Sequence, residues 1–278
     1  MKIAVMLDSA ADINTADAND QNILVTRFAI NIDGKDYIDE KDLTLDQFKQ
    51  FLNEDKAMST SQTPLGLLIE QWDLILKDYD HIIYLTLSEK LSGAYSSAVA
   101  AANEYGDKIT VVDTKGVAFP IQFIYKEVLE MLKNGLTPLE IKEKVENNEP
   151  MFAFLVPYDI KHLKRGGRIT PQAAALANLL RIVPILALED GKIDAHAKVR
   201  TNKKAIDKAI NEMVSKYDNP EDYHWFVLHS DLEDDIQEYK EKVEAAVKQK
   251  VTVAELYPIL LAHAGPKTFA VGALKKLI

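Results

Sequence analysis

The apolar run His81-Ile82-Ile83-Tyr84-Leu85-Thr86-Leu87 passes through the hydroxyl-rich turn Ser88-Glu89-Lys90-Leu91-Ser92-Gly93 into an Ala-rich stretch, Ser97 to Tyr105. The run is short, aliphatic and partly β-branched, which predicts a buried strand. Alanine is the best intrinsic helix former, so the stretch after the turn predicts a helix. A strand feeding straight into a helix is half of a βαβ unit, and repetition of that unit commits a chain to a parallel sheet. The turn also gathers hydroxyls and backbone N–H groups at a helix N-terminus, a place that favours an anion.

The alternation continues on both sides. Lys2–Leu7 predicts a strand closed by the small polar segment Asp8-Ser9-Ala10-Ala11-Asp12, with Asp8 and Asp12 as loop-closing caps. Ile23–Ile32 predicts a second strand, ended by the hairpin dipeptide Asp33-Gly34. Thr44 caps a helix to about Leu52. Thr63-Pro64 reads as an N-cap followed by Pro at the first helical position, opening a helix to about Lys77 with Leu67, Leu68, Trp72, Ile75 and Leu76 on its apolar face. A strand at Ile109–Val112, a helix from about Phe119 to Lys133 and another opened by Thr137-Pro138 complete the series.

Past Pro157 the pattern changes. Phe152–Val156 predicts a strand, the segment Lys164-Arg165-Gly166-Gly167-Arg168 a break, and Gln172–Leu180 a helix. Asp190-Gly191 predicts a hairpin between Ile182–Leu188 and Lys192–Val199. Helices follow at about Lys203–Lys216 and Leu232–Lys248, with strands at Trp225–His229, Val251–Glu255 and Ile259–His263. The expected fold is therefore α/β in two domains, residues 1–156 with a mainly parallel sheet and 157–278 with a mixed one.

Charge and composition exclude several functions. A net charge of −10 repels nucleic acid. The absence of Cys excludes a disulfide scaffold, a thiolate metal site and a Cys nucleophile, and fits a reducing compartment. No apolar run approaches a membrane span, and Met1–Leu7 is cut short by Asp8, too early for a signal peptide. The expectation is a cytoplasmic protein with no stable membrane insertion.

Two hydroxyl clusters are the leading site candidates: Ser59-Thr60-Ser61-Gln62-Thr63, and the turn carrying Ser92 and Gly93. Ser and Thr before a helix are often only caps, but Thr60, Ser61 and Ser92 exceed what one cap requires. His263 precedes the turn Ala264-Gly265-Pro266. Two basic islands stand out in an acidic chain: Lys161, Lys164, Arg165 and Arg168, then Lys198, Arg200, Lys203 and Lys204. They suit an acidic partner. Three readings stay open on the residues alone. One is an anion-binding carrier. Another is a serine esterase using Ser92 and His263, although no G-x-S-x-G elbow is present. The third is a phosphate- or sugar-phosphate-binding domain. No phosphate loop, dinucleotide fingerprint or metal-ligand spacing supports a cofactor.

Taken together, Asp8-Ser9-Ala10-Ala11-Asp12, Thr60-Ser61-Gln62, Leu91-Ser92-Gly93-Ala94-Tyr95, Lys164-Arg165-Gly166-Gly167-Arg168-Ile169, Leu188-Glu189-Asp190-Gly191 and His263-Ala264-Gly265-Pro266 resemble the DegV family of bacterial fatty-acid-binding proteins along the whole chain. Two positions depart: Thr63 stands where the family usually has Pro, and Lys267 where it commonly has Gly. The resemblance implies a Rossmann-like three-layer N-terminal domain, a two-layer α/β C-terminal domain, and a long-chain fatty acid such as palmitate, stearate or oleate bound between them. It implies a carboxylate held by Thr60, Ser61, Ser92 and Gly93 with His263 nearby. It further implies no catalytic activity of the chain's own, no cofactor, and a fatty acid kinase as partner, faced by Arg168 and Arg200. The acyl tunnel is expected to draw on apolar residues such as Phe28, Ile30, Phe119, Leu155, Leu176 and Ile185.

Overall fold

The computed structural model describes residues 1–54, 56–178 and 181–278, which form two units. The first comprises Met1–Asn148 with Tyr257–Ile259 and Leu277–Ile278; the second comprises Glu149–Leu256 with Leu260–Lys276.

In the first unit strands β1 (Ile3–Asp8), β2 (Leu24–Thr26), β3 (Ala29–Ile32), β4 (Lys35–Ile38), β5 (Met58–Ser61), β6 (His81–Thr86) and β7 (Ile109–Asp113) are interspersed with helices. These are α1 (Thr15–Asp20), α2 (Leu45–Asn53), α3 (Leu65–Ile75), α4 (Ala94–Ala102), α5 (Pro120–Lys133) and α6 (Pro138–Glu146). Strands β2-β1-β6-β7 form a parallel sheet. On one face Met6, Ile82, Tyr84 and Val111 pack with Leu68 and Trp72 of α3 and Ala98 of α4. The alternate residues Val5, Leu7, Ile83, Leu85 and Val112 are equally buried, and α5 and α6 lie along β1 and β7. Helices on both faces explain why β6 is buried throughout rather than on alternate residues. Thr44 and Thr137 each close a capping box, with Gln47 and Glu140 respectively.

The expected single strand Ile23–Ile32 is two strands in different sheets. β2 joins the parallel sheet, and β3 lies between β4 and β5 in a small antiparallel one. The break falls at Arg27-Phe28, where side chains replace a continuing ladder. The Thr63 hydroxyl donates to the Arg27 carbonyl, and the Phe28 N–H donates to Ser9 Oγ. Thr63 is accordingly not a cap. Pro64 occupies that position without a side-chain bond, while the Thr63 hydroxyl also pairs with Thr26 Oγ1 at 2.9 Å.

The second unit contains β8 (Phe152–Val156), β9 (Val183–Glu189), β10 (Lys192–Val199), β11 (Tyr223–His229), β12 (Thr252–Glu255) and β13 (Phe269–Lys275). Its helices are α7 (Lys161–Gly166), α8 (Pro171–Ala175), α9 (Asn202–Val214), α10 (Glu233–Val247) and α11 (Pro258–Ala264). The sheet order β10-β9-β8-β13-β11-β12 is antiparallel except for β11 with β12. Alternate residues Phe152, Phe154, Trp225, Val227, Phe269 and Val271 face the core beneath α9 and α10. Because β8 hydrogen-bonds to β9 and β13, it belongs here, and the boundary falls at Asn148/Glu149 instead of 156.

Two expectations for this half are corrected. Ile259–His263 is helical, not a strand: Pro258 starts the helix and the Gly265 N–H returns to the Leu261 carbonyl. A five-residue apolar run fits either state, and the Leu-Leu-Ala composition favours helix. The second is β13, a central strand that the sequence pattern does not predict. Its Ala residues and Gly272 carry little strand propensity. Gly272 is needed, since a Cβ there would lie 2.4 Å from the Phe226 ring and 2.6 Å from the Phe152 carbonyl. The helix expected over Gln172–Leu180 is α8 followed by one 3-10 turn, Leu176–Asn178; its expected end at Leu180 lies outside the described residues.

Candidate functional site

In the parallel sheet the chain leaves β1 toward β2 and leaves β6 toward β7, so the connections diverge between β1 and β6. Open α/β sheets place their ligand crevices at such a reversal, beyond the carboxyl ends of the strands. Asp8, the last residue of β1, spans it. Its carboxylate accepts the Ala10 N–H at 3.0 Å and the Leu87 N–H at 2.9 Å. Complete burial pushes its pKa up to about 7 despite those two donors.

The β6 chain then runs through Ser88 to Ser92 and Gly93 at the start of α4. The Ser92 hydroxyl, half-buried, accepts the Ala94 N–H at 3.2 Å, and Gly93 is exposed at the N-cap. The Thr-Ser-Gln segment reaches the same place. Gln62 Nε2 donates to Ser97 Oγ at 2.6 Å, and a Cβ on Gly93 would rest 3.4 Å from Gln62 Oε1. Gln62 thus joins the two hydroxyl clusters, a role that no sequence pattern announces.

Strand alternation separates the members of the first cluster. Thr60 is half-buried and sits opposite the fully buried Ile30, whereas Ser61 is exposed and sits opposite Ala29. Successive side chains leave a strand on opposite faces, so Ser61 points away from Thr60. Beside Gln62 and Ser97 a small cleft, partly open to solvent, is lined on its apolar side by Phe28, Leu65, Leu68 and Tyr84.

His263 belongs to the second unit, on α11. The Nδ1 edge of its ring abuts Gly166, where a Cβ would come within 2.2 Å of Nδ1. Burial, and then the Arg168 guanidinium, hold its pKa down to about 4, so the ring is neutral at physiological pH. Arg168 itself donates to the Gly166 carbonyl. The expected break at Lys164–Arg168 is the end of α7. Gly167, with φ +69, closes the helix in the left-handed region that glycine adopts without cost. All the residues of the two basic islands, Arg168 and Arg200 included, are exposed.

Of the named tunnel residues, Phe28 lines the cleft and Ile30 shares Thr60's face. Ile185 instead belongs to the core beneath α9. Lys267 explains its own departure: at φ 53 it occupies a backbone conformation suited to glycine, and its ammonium lies 5.6 Å over the Tyr158 ring. Among the described residues no helix is long and apolar enough to cross a membrane.

A family model described as "Uncharacterised protein, DegV family" matches residues 2–276. A DegV domain-containing protein of Clostridium perfringens is 31% identical over 280 residues, covering 97% of this chain and 96% of its own. Among solved structures, a fatty-acid-binding DegV family protein from Thermus thermophilus superimposes with a TM-score of 0.87 at 27% identity, covering 99% of this chain and 100% of its own. DegV of Bacillus subtilis, described as a fatty acid binding protein, gives 0.84 at 26% identity over 99% of this chain and 100% of its own.

Proposed function

The chain belongs to the DegV family, and on that premise we propose that it binds a long-chain fatty acid such as palmitate, stearate or oleate. Thr60 and Ser92 hold the carboxylate, Gly93 leaves room for it, and His263 is a third head-group residue. The observation that carries this reading is the bridge from Gln62 to Ser97 and Gly93, which gathers both hydroxyl clusters at the diverging connections of the parallel sheet.

The chemistry suits the ligand. A carboxylate taken from water must have its lone pairs satisfied. Hydroxyls and helix N–H groups donate to it without a fixed cation. Burial of the tail, at about 0.8 kcal/mol per CH₂, supplies on the order of 10 kcal/mol for a palmitate-length chain.

The chain acts as a carrier and not as an enzyme. It presents the carboxyl group to a kinase that docks on the exposed residues Arg168 and Arg200. An esterase would need His263 to take the Ser92 proton, and a base with a pKa near 4 is poorly matched to that task at neutral pH. The expected setting is the cytoplasm.

The test is extraction of the purified protein followed by mass spectrometry, with palmitate binding measured on Ser92→Ala and Thr60→Ala. Folded protein should carry about one fatty acid per chain. Each variant should bind palmitate about tenfold or more weaker, equivalent to about 1.5–3 kcal/mol. Parent-like affinity in both variants removes the carboxylate from this place. Stoichiometric fluorophosphonate labelling of Ser92 replaces the carrier with an esterase.

A further inference from the structure

Building on the head-group reading above, we infer that His162 is a positioning residue for His263. His162 and Gly166 stand four residues apart on α7 and therefore share one face of that helix. The Nδ1 edge of the His263 ring abuts Gly166: a Cβ there would fall 2.2 Å from Nδ1 and 3.2 Å from both Cε1 and Cγ. The His162 ring lies on Gly265, two residues beyond His263, where a Cβ would fall 2.6 Å from Cδ2 and 2.8 Å from Cγ. Each histidine is seated on the backbone of the segment that carries the other.

One ring on one glycine is a pivot. Two such seats, about 6 Å apart along a helix, resist both sliding and rotation. His162 is the second seat. It holds α7 against the turn after α11, so that the surface under the His263 ring keeps its place. Arg168 closes the far side by donating to the carbonyl of the same Gly166. The direction of the ring matters because a hydrogen bond weakens steeply once its angle falls toward 120°. An imidazole free to rock is a poor donor to a carboxylate even when it remains nearby.

The test joins NMR of the His263 ring in ligand-free protein with palmitate affinity. His162→Ala should shift the His263 ring resonances and weaken palmitate binding roughly three- to thirtyfold. His162→Phe, which keeps a flat ring on Gly265, should restore both. In a His263→Ala background, His162→Ala should weaken binding no further. Should His162→Ala fail to fold, His162→Leu fills the volume without lying flat and is read in the same way. Unchanged His263 resonances in a folded variant overturn the assignment, as does a fully additive loss in the double variant or a His162→Phe protein as weak as His162→Ala. If His263→Ala itself binds palmitate normally, the head-group role of His263 fails instead. The ring resonances of the ligand-free protein then decide the positioning role by themselves.

Discussion

Gly93 and Gly166 each lie in a short motif beside a head-group candidate, and they do different work. A Cβ on Gly93 would meet only Gln62 Oε1 at 3.4 Å, an ordinary contact, and its φ of −72 is open to any residue. A Cβ on Gly166 would fall 2.2 Å from Nδ1 of the His263 ring, far inside contact distance. The first region is assembled from hydrogen bonds: Asp8 to Leu87, Ser9 to Phe28, Thr63 to Arg27, Gln62 to Ser97. The second is assembled by exclusion of volume. A network of bonds relaxes around a lost member, whereas interlocked surfaces do not yield to an added atom.

The largest difference should therefore come from paired alanine substitutions at the two glycines. Gly166→Ala should destabilise by about 1–3 kcal/mol and displace the His263 ring. Gly93→Ala should change stability by no more than about 0.5 kcal/mol. Thermal unfolding of both proteins measures this, and equal losses would erase the contrast.

A smaller effect should distinguish the regions by pH. Burial pushes Asp8 and Asp39 from 3.8 up to about 7, so the fold keeps protons that the unfolded chain has released. Their contribution is complete below about pH 4 and is lost as pH rises through 7. His263 is lowered from 6.5 to about 4, so its contribution is complete above 6.5 and is lost as pH falls through 4. Corrected amide exchange should show the Leu87 N–H losing protection from pH 5 to 8. The Gly265 N–H should lose protection in the opposite direction, from pH 6.5 to 4. Asp8→Asn should flatten the Leu87 response and, by removing one of two acceptors, cost about 1–3 kcal/mol at low pH. Parallel responses at both amides would break the distinction.

The smallest effect belongs to Lys267. Lys267→Gly relieves the left-handed backbone at φ 53 but gives up the contact with Tyr158. The net change should be a gain below about 1 kcal/mol in denaturant unfolding. A loss would show that the ring contact outweighs the backbone strain.

The parts that could be read from sequence were those carried by local chemistry. The β-branched run His81–Thr86 reads as a buried strand, and Thr44 and Thr137 announce their helices by capping patterns. The Asp33-Gly34 and Asp190-Gly191 turns fixed two hairpins. What escaped depended on distant partners. Thr63 looks like a cap until Arg27 and Thr26 arrive to take its hydroxyl. Gly272 weakens the case for a strand until the Phe226 ring supplies the reason for it. His162 carries no motif of its own. The only sign of it was its spacing of four from Gly166, matched by the spacing of two between His263 and Gly265.

The way the first unit is completed has a consequence for synthesis. Its Glu127 carboxylate accepts the N–H of Leu277, 150 residues later, and Asp12 accepts the N–H of Tyr257, 245 residues later. At about 5–20 residues per second, a ribosome takes roughly 8–30 s to travel from the first member of the Glu127 pair to the second. The parallel sheet can assemble in that interval, but these ties must await residues made much later. Translation speed over the second half thus sets how long the nascent first unit stays unsealed, and it is during that window that a chaperone has most to hold.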